Sequence, residues 1–261
     1  MKILLTGANG YIGMRLLPVL FNSGYEVVCC VRDKNRLSIP DELKEKVEII
    51  EIDFLKPIDL SIFPKDIDAA YYLIHSMSSS TQDFDKKEEL SAQNFNNYLK
   101  HTQIKQVIYL SGIVTENILS KHLRSRKQVE EILYQGNYNL TVLRSGIIVG
   151  SGSSSFEIIR DLCEKLPIMI TPKWVNTPSQ PIAIRDVLSF MVGVLGNKDC
   201  FNKSWDIGGP DILTYKKMLK LYAKVRGLKL FIITLPFMTP KLSSYWLYFV
   251  TSTSYKLALN L

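Results

Sequence analysis

The fold is decided by the stretch TGANGYIG, residues 6–13, which directly follows a short apolar run. Three glycines stand three residues apart, at Gly7, Gly10 and Gly13. In a strand–turn–helix unit such a triplet allows the sharp turn, the approach of a pyrophosphate and close packing of helix on strand. The amides and positive dipole of the helix N-terminus then face the phosphates. The stretch predicts dinucleotide binding, and the alternative is a tight turn without a ligand. The predicted contacts are Gly7, Ala8, Asn9, Gly10, Tyr11, Ile12 and Gly13.

Apolar runs alternate with amphipathic stretches over the first 150 residues. Short apolar runs without polar alternation are typical of strands covered on both faces, and their alternation with helices predicts right-handed βαβ units. The predicted strands are 3–5, 25–31, 47–52, 69–74, 106–110 and 140–144, and the predicted helices are 11–23, 82–101 and 122–134. We therefore expect an α/β fold, a doubly wound parallel sheet (Rossmann fold) with a small irregular C-terminal substrate subdomain. Residues 1–150 would form the NAD(P)-binding domain, and residues 151–261 the contiguous substrate side.

The end of the second strand indicates which dinucleotide binds. An acid there bonds the 2′-hydroxyl of NAD, whereas an arginine accommodates the 2′-phosphate of NADP. The sequence reads CCVRDKNR, which places Arg32 at the strand end and Arg36 one turn away. Guanidinium groups bind phosphate through a planar pair of donors. Asp33 argues in the other direction, so NADP is favoured and NAD remains the alternative.

Two further residues follow strand ends. Asp53, in EIDF, is placed to bond the adenine amino group or, alternatively, to cap a turn. His75 follows the fourth strand, in the crevice at the carboxyl ends of the strands where ligands bind in such sheets. It would contact cofactor or substrate, or be a plain loop histidine.

Composition restricts the class of protein. The net charge is +7, and scattered surface lysine accounts for it better than a nucleic-acid partner, because the positive charges form no block. The four cysteines have no metal-ligand spacing, so we expect buried free thiols in a reducing compartment and no metal. No stretch of the sequence indicates a signal peptide or a transmembrane helix, which predicts a cytoplasmic protein.

Several motifs in order resemble the short-chain dehydrogenase/reductase superfamily in its extended and atypical branches. They are TGANGYIG, EIDF, VIYLSG, TVLRSGIIVGSG, PIAIRDV and DIGGPDILTY. The resemblance covers residues 2 to about 224 and is closest to NAD(P)-binding proteins of the nucleoside-diphosphate-sugar epimerase-like, NmrA-like group. It implies a nicotinamide dinucleotide cofactor and a region near Arg144 that borders the nicotinamide.

The resemblance also implies a catalytic set. The superfamily uses a serine after the fifth strand, a proton-transferring tyrosine and a lysine four residues later. Ser111 matches the serine, but His122 occupies the tyrosine position and Arg126 the lysine position. His122 would be the proton donor, since histidine titrates near neutral pH. Alternatively, His122 and Arg126 form a structural or ribose-contacting pair.

Three interpretations of function follow. The first is an NADP-dependent oxidoreductase or epimerase that acts on a small carbonyl, quinone or nucleotide-sugar compound. The second is a cofactor-binding sensor or assembly factor without turnover, which the His122/Arg126 substitution favours. The third is a membrane-surface reductase, suggested by the apolar, aromatic last thirty residues and the positive charge.

Overall fold

The computed structural model describes residues 1–75, 84–113 and 121–235 and, within the last range, side chains from Leu123 onward. The strands are β1 Lys2–Thr6, β2 Glu26–Val31, β3 Glu48–Glu51, β4 Ala69–Tyr72, β5 Gln106–Gly112, β6 Asn139–Ser145, β7 Ile148–Val149, β8 Ile168–Pro172, β9 Pro178–Ser179, β10 Ile182–Ala183, β11 Lys203–Ile207, β12 Leu213–Thr214 and β13 Phe231–Leu235. The helices are α1 Tyr11–Asn22, α2 Phe84–Leu99, α3 Lys121–Leu133, α4 Ser154–Lys165, α5 Ile184–Gly193 and α6 Tyr215–Val225. Short 3-10 helices cover Lys34–Arg36, Asp41–Leu43, Lys173–Asn176 and Lys198–Cys200.

Seven parallel strands form the main sheet, in the spatial order β11-β6-β5-β4-β1-β2-β3. From β3 to β6 this is the doubly wound order of dinucleotide-binding folds, in which the order reverses between β1 and β4. The predicted α/β fold with a parallel sheet is therefore confirmed. The reversal opens a crevice at the carboxyl ends of β1 and β4, where the glycine loop begins.

Helices cover both faces of the sheet. Successive residues of a strand point to opposite faces, and β4 shows both. The Tyr71 hydroxyl donates to the carbonyl of Met191 in α5, whereas Tyr72 packs edge-on against Phe95 of α2. The α2–α3 face holds a large apolar cluster that includes Leu4, Val28, Tyr72, Phe95, Tyr109, Val129 and Leu133. The central strands β1, β4 and β5 are buried on both faces, which explains why their sequences are largely apolar.

The boundaries of the predicted elements agree with the observed ones to within two residues wherever the chain is described. The predicted strand 69–74 ends at Tyr72, and the predicted strand 106–110 continues to Gly112. Residues 82 and 83 of the predicted second helix lie outside the described ranges. The β11 strand was not predicted. It joins the sheet beside β6, where the Asn202 side chain accepts from the Leu140 amide.

Two compact units divide the chain. The first comprises Met1–Ser145 and Arg185–Ile207, and holds the main sheet. Within the described residues, the second comprises Gly146–Ile184 and residues 208–235. In it α4 and α6 pack around Met169, and β8 pairs with β13. The assignment of residues 151–261 to the substrate stays a prediction.

Candidate functional site

Several predicted site residues of the first unit lie at or just beyond the carboxyl ends of neighbouring strands. In the sheet register Leu5 stands beside Tyr71, Tyr72 beside Tyr109, and Ser111 beside Arg144. On the other side of β1, Thr6 stands beside Cys30. Since parallel strands end at the same edge, the glycine loop, the β4 end and Ser111 share one edge of the sheet.

The glycine loop is pinned to the end of β4. The Thr6 hydroxyl is fully buried, donates to the Tyr71 carbonyl at 2.9 Å and accepts from the Leu73 amide at 3.1 Å. Gly7 then turns with a φ of +64°, and a Cβ there would lie 2.6 Å from the Leu73 carbonyl oxygen. Only glycine combines this dihedral angle with this close approach.

The loop leads into a helix N-terminus without side-chain capping. Gly10 is the N-cap of α1, no side chain caps it, and the first turn carries no acid. Met14 donates the first intrahelical bond to the Gly10 carbonyl, so the amides of residues 11–13 precede that bond. Such a helix start binds anions through its amides and its dipole.

The glycines of the loop differ in the contacts that a side chain would make at each position. A Cβ on Gly13 would lie 2.5 Å from the Gly7 carbonyl oxygen and 2.8 Å from the Ala8 Cα, so the fold itself requires glycine there. A Cβ on exposed Gly10 would meet only the Gly7 carbonyl oxygen, at 3.1 Å. The open side of Gly10 is what a pyrophosphate approaching the backbone requires.

Among the residues that the structure describes, two buried hydroxyls have no hydrogen-bond partner of normal geometry. They are the phenol oxygen of Tyr11, at the start of α1, and the hydroxyl of Ser111, at the end of β5. Ser111 is 4 % exposed. Because a buried polar group without a partner costs free energy, such groups indicate a ligand that completes their hydrogen bonds. Both residues were predicted to lie in the site.

Arg32 directly follows β2 and is exposed, as is Arg36. The carboxylate of Asp33 accepts from the Asn35 amide at 2.9 Å and thereby caps the 3-10 turn of residues 34–36. The Asp33 carboxylate is thus used to cap its own turn. Among the residues described, neither Arg32 nor Arg36 forms an ion pair with an acidic side chain. The guanidinium groups remain accessible to a phosphate.

Asp53 lies two residues after β3. Its carboxylate accepts from the Leu55 amide at 3.1 Å, which is the turn-capping geometry of an Asx turn. The capping alternative is therefore present in the structure. A contact of Asp53 with adenine stays a prediction.

His75 is part of a buried polar cluster. Its Nδ1 lies 2.7 Å from a carboxylate oxygen of Glu88, in α2, and the other Glu88 oxygen accepts from the Ser125 hydroxyl at 2.5 Å. Glu88 is 3 % exposed. Burial alone would raise the pKa of Glu88, but its bond to His75, with Ser125 and Arg126 nearby, lowers that pKa to about 2. Glu88 is consequently ionised and holds the His75 ring.

Arg126 points back to the sheet. Its guanidinium donates to the Leu110 carbonyl at 3.2 Å and to the Tyr109 phenol at 3.4 Å. Burial alone would lower the pKa of Arg126, but Tyr109 and Glu88 raise it, so Arg126 stays charged. His122 lies in the first turn of the same helix, four residues before Arg126, and its side chain lies outside the described part of the chain. The catalytic roles of both residues stay predictions.

Arg144 forms an ion pair with Glu130 of α3. Two guanidinium nitrogens donate to the two carboxylate oxygens of Glu130, at 2.5 and 3.2 Å, and the Ser204 hydroxyl donates to the same carboxylate. This pair joins α3, β6 and β11. It gives Arg144 a structural role, and its contact with the cofactor stays a prediction.

Sequence reasoning missed Glu88 and Ser125. A signal for Glu88 exists, because it falls on the buried stripe of α2 with Ser91, Ala92 and Phe95, at helical spacing. A carboxylate at a core position requires a buried partner. However, Glu88 lies in the run KKEEL, and four charged residues in a row are typical of a solvent-exposed helix surface.

The residues present fit a nicotinamide dinucleotide. The glycine cradle, the uncapped helix start and the two buried hydroxyls lie in the first unit with accessible Arg32. No group of histidines, cysteines and acids suited to a metal ion occurs over residues 1–75, 84–113 and 123–235.

A family model described as NAD(P)H-binding matches residues 7–165, more than half of the chain. The chain belongs to this NAD(P)H-binding family. The family match spans the glycine loop, His75, Ser111, Arg126 and Arg144. This match confirms the predicted membership of the atypical short-chain dehydrogenase/reductases. It also confirms a nicotinamide dinucleotide as the cofactor, without distinguishing NAD from NADP.

Two curated proteins resemble this family member at low identity. A photosystem II assembly factor of Trieres chinensis is 23% identical over 249 residues, which are 94% of this chain and 75% of that protein. A chloroplastic divinyl chlorophyllide a 8-vinyl-reductase of Cucumis sativus is 22% identical over 224 residues, 80% of this chain. The matched part is 53% of the reductase, so this chain spans about half of its length.

Solved structures of similar fold include sugar-nucleotide enzymes. A nucleoside-diphosphate-sugar epimerase from Staphylococcus aureus superposes with a TM-score of 0.77 at 16% identity, over 99% of this chain and 88% of that one. UDP-glucuronic acid 4-epimerase from Bacillus cereus, in complex with NAD, superposes with a TM-score of 0.75 at 19% identity, over 100% and 96%. At these identities the likeness shows the fold alone.

None of the helices in the described ranges is both long and apolar enough to cross a membrane.

Proposed function

We propose that this chain binds NADP(H) in preference to NAD(H), and that it is an oxidoreductase acting on a small carbonyl, quinone or nucleotide-sugar compound. The observation that carries the cofactor preference is that the acidic residue after β2 is engaged in a turn, whereas the two arginines nearby are exposed. Asp33 caps its own turn and leaves Arg32 and Arg36 exposed at the position where the adenosine ribose is met. An arginine pair there supplies charge-assisted bonds to a 2′-phosphate, whereas NAD offers those arginines only a neutral hydroxyl.

The glycine loop would hold the pyrophosphate. Gly10 leaves room for it, and the amides that open α1 point toward an anion at that position. The phenol of Tyr11 would bond the cofactor from the first turn of the helix.

Ser111 supports the oxidoreductase part of the proposal. Its buried hydroxyl has no hydrogen-bond partner of normal geometry among the described residues, and it lies at the end of β5 at the edge of the crevice. There it can donate to a substrate carbonyl oxygen and orient it. The bound nicotinamide supplies hydride transfer, and the protein's part is to bind, orient and supply the proton. The C-terminal residues 151–261 would supply the substrate side.

A second candidate function is NADP(H) binding without turnover, in a sensor or assembly factor. Arg126 favours it, because this residue is tied to Tyr109 and Leu110 and cannot exchange a proton near neutral pH. The two curated relatives include one assembly factor and one reductase, so both classes occur among similar proteins. A cytoplasmic location belongs to the proposal under either function.

The cofactor proposal is tested by titrating NADPH and NADH against the protein and its Arg32→Ala variant, with nicotinamide fluorescence as the readout. Loss of a charge-assisted bond predicts that the variant binds NADPH roughly 10- to 100-fold more weakly and NADH unchanged. Arg185→Ala, which removes an exposed arginine of the same unit, is the matched control. Equal affinity of the unaltered protein for both nucleotides would refute the preference.

Turnover is tested with the same preparation. NADPH oxidation is followed with a panel of aldehydes, ketones, quinones and UDP-sugars, and Ser111→Ala is compared with Ser111→Thr, which keeps the hydroxyl. Loss of turnover in the alanine variant with retained NADPH affinity supports the oxidoreductase. Tight NADPH binding with no oxidation of any compound supports the second candidate.

A further inference from the structure

One face of the small β8–β13 sheet in the second unit carries large apolar side chains that are exposed. The two strands are parallel, and their register places Phe231 beside Ile168 and Ile233 beside Ile170. Phe231 and Ile168 are 64 % and 63 % exposed, and Ile170, Ile233 and Leu235 are exposed as well. Because residues two apart in a strand point to the same side, these five side chains form one patch, which we call the β8–β13 face.

The opposite face of the same strand pair is covered. Met169, between Ile168 and Ile170, is buried against α4 and α6, and Ile232 packs on the same apolar cluster. Parallel strands occur almost only where both of their faces are covered. Contiguous exposed apolar patches on soluble proteins commonly mark sites where a partner binds. The β8–β13 face therefore indicates a docking surface.

The excess positive charge of the protein is concentrated in the same part of the chain. Residues 146–184 and 208–235 carry nine lysines and arginines but four acidic residues, and residues 236–261 add two lysines and no acid. Residues 1–145 and 185–207 carry 21 residues of each sign, so they contribute nothing to the net charge of +7. Although the lysines form no block along the sequence, they are thus divided unequally between the two units. Such asymmetry is typical of contact with an anionic partner.

Lysines lie at both ends of the β8–β13 face. Lys229 precedes β13 by two residues and Lys173 directly follows β8, and both are exposed. Neither forms an ion pair with an acidic side chain among the described residues. Residues 165–185 and 212–261, which include both strands, contain no aspartate or glutamate. The face is therefore an apolar patch with positive ends.

We propose that the β8–β13 face binds the surface of an anionic lipid bilayer, with its apolar side chains at the acyl boundary and Lys173 and Lys229 at the head groups. Burial of the apolar side chains supplies the hydrophobic part of the binding free energy, and the negative head groups attract the lysines. The proposal does not depend on which nucleotide the first unit binds or on turnover.

Charge favours a bilayer over other occupants of this face. A second copy of the chain, docked face to face, would bring the lysines of both copies together, and like charges repel. Residues 236–261 carry two further lysines and no acid, so they would leave the positive ends without a counter-charge. A nucleic acid would supply negative charge, but such sites stack bases on several aromatic side chains, whereas Phe231 is the single aromatic residue of this face.

Vesicle flotation of the full chain tests the proposal. Vesicles of phosphatidylcholine mixed with phosphatidylglycerol are compared with vesicles of phosphatidylcholine alone. We expect the chain to float with the mixed vesicles at low salt and to be released as salt screens the charges. Ile233→Ser should weaken this binding roughly 5- to 30-fold. Ile62→Ser is the matched control, because Ile62 belongs to the first unit and is 51 % exposed, against 53 % for Ile233. If Ile233→Ser does not fold, Phe231→Ser carries the test.

The contribution of the lysines is tested separately. Lys173→Gln combined with Lys229→Gln should weaken binding to the mixed vesicles roughly 5- to 30-fold and reduce its dependence on salt. Lys100→Gln combined with Lys105→Gln removes the same charge from exposed positions of the first unit and is the control. Urea unfolding midpoints should be alike in all of these variants, since each replaced side chain is exposed.

The outcomes decide between the occupants. Binding to mixed vesicles that is weakened in Ile233→Ser and in the Lys173/Lys229 variant, and retained in both controls, supports the proposal. Absence of vesicle binding, equal binding to phosphatidylcholine alone, or an equal loss in Ile62→Ser overturns it. A dimer in light scattering that dissociates in Ile233→Ser, without vesicle binding, would also overturn it and assign the face to a second copy. Oligonucleotide binding without vesicle binding would overturn it in favour of a nucleic acid.

Discussion

The carbonyl oxygen of Gly7 lies 2.5 Å from the position that a Cβ would occupy on Gly13, so the loop and the first turn of α1 are in direct backbone contact. This contact is the physical reason why the third glycine of the motif, Gly13, cannot carry a side chain. It makes Gly13 a requirement of folding as well as of binding.

Gly13→Ala is therefore expected to lower both stability and cofactor affinity. The methyl group would meet backbone atoms of Gly7 and Ala8 that cannot move independently, at a cost of roughly 1–3 kcal/mol in the free energy of unfolding. Urea unfolding and NADPH titration measure the two effects. Gly193→Ala, where a Cβ meets nothing within 4 Å, is the matched control and should not destabilise. An unchanged midpoint for Gly13→Ala would contradict the packing argument.

Gly10→Ala should lower cofactor affinity with little change in stability. Its Cβ meets only the Gly7 carbonyl oxygen, at 3.1 Å, so the free energy of unfolding should change by less than about 1 kcal/mol. The methyl group would stand on the open side of the loop and reduce NADPH affinity by roughly 10-fold or more, since the pyrophosphate needs close backbone approach. Calorimetric titration checks the affinity. Retention of full affinity would place the phosphates elsewhere.

The Arg144–Glu130 pair should behave as a structural unit. Arg144→Met leaves Glu130, which is 5 % exposed, with the single donor Ser204 among its described partners. We expect a loss of roughly 1–3 kcal/mol, below the value for a fully buried pair because the guanidinium is partly exposed. Adding Glu130→Met should recover part of that loss in a double-mutant cycle. Additive losses in the cycle would show that the two groups do not interact.

Acid sensitivity should depend on Glu88. Its pKa in the folded protein is lowered to about 2 from a usual value of 4.5, so its stabilising contribution is complete above the usual pKa and is lost as pH falls through about 2. The shift corresponds to about 3 kcal/mol, as an order of magnitude. Unfolding free energies of the unaltered protein and Glu88→Gln, measured between neutral pH and acid, should converge at low pH. A constant difference between them at all pH values would contradict the assignment.

The first half of the fold was predictable from sequence because strands such as β2 and β4 are apolar runs and several turns carry a glycine signal. Gly7 and Gly24, for example, both have positive φ and end elements where expected. The β11 strand was not predictable in the same way. KSWDI has one buried residue, and its place in the sheet comes from its register with β6.

The cofactor loop of the site was predictable for a similar reason, since its glycine pattern is local. The partners of His75 and Arg144 were not. Glu88 and Glu130 lie 13 and 14 residues from them along the chain, and only the packing of α2 and α3 on the sheet brings the charges together. Whether Asp33 bonds a ribose or caps a turn likewise depends on backbone geometry that residue types do not specify.

The placement of β11 has a consequence for the order in which the protein is made. While the chain leaves the ribosome, β6 is completed at Ser145 almost sixty residues before its neighbour β11 has been synthesised. During that interval its edge and the Leu140 amide, which later bonds Asn202, are open to other chains. We expect the nascent polypeptide to need shielding at this stage, and a product that terminates between the two strands to aggregate rather than accumulate as a folded domain.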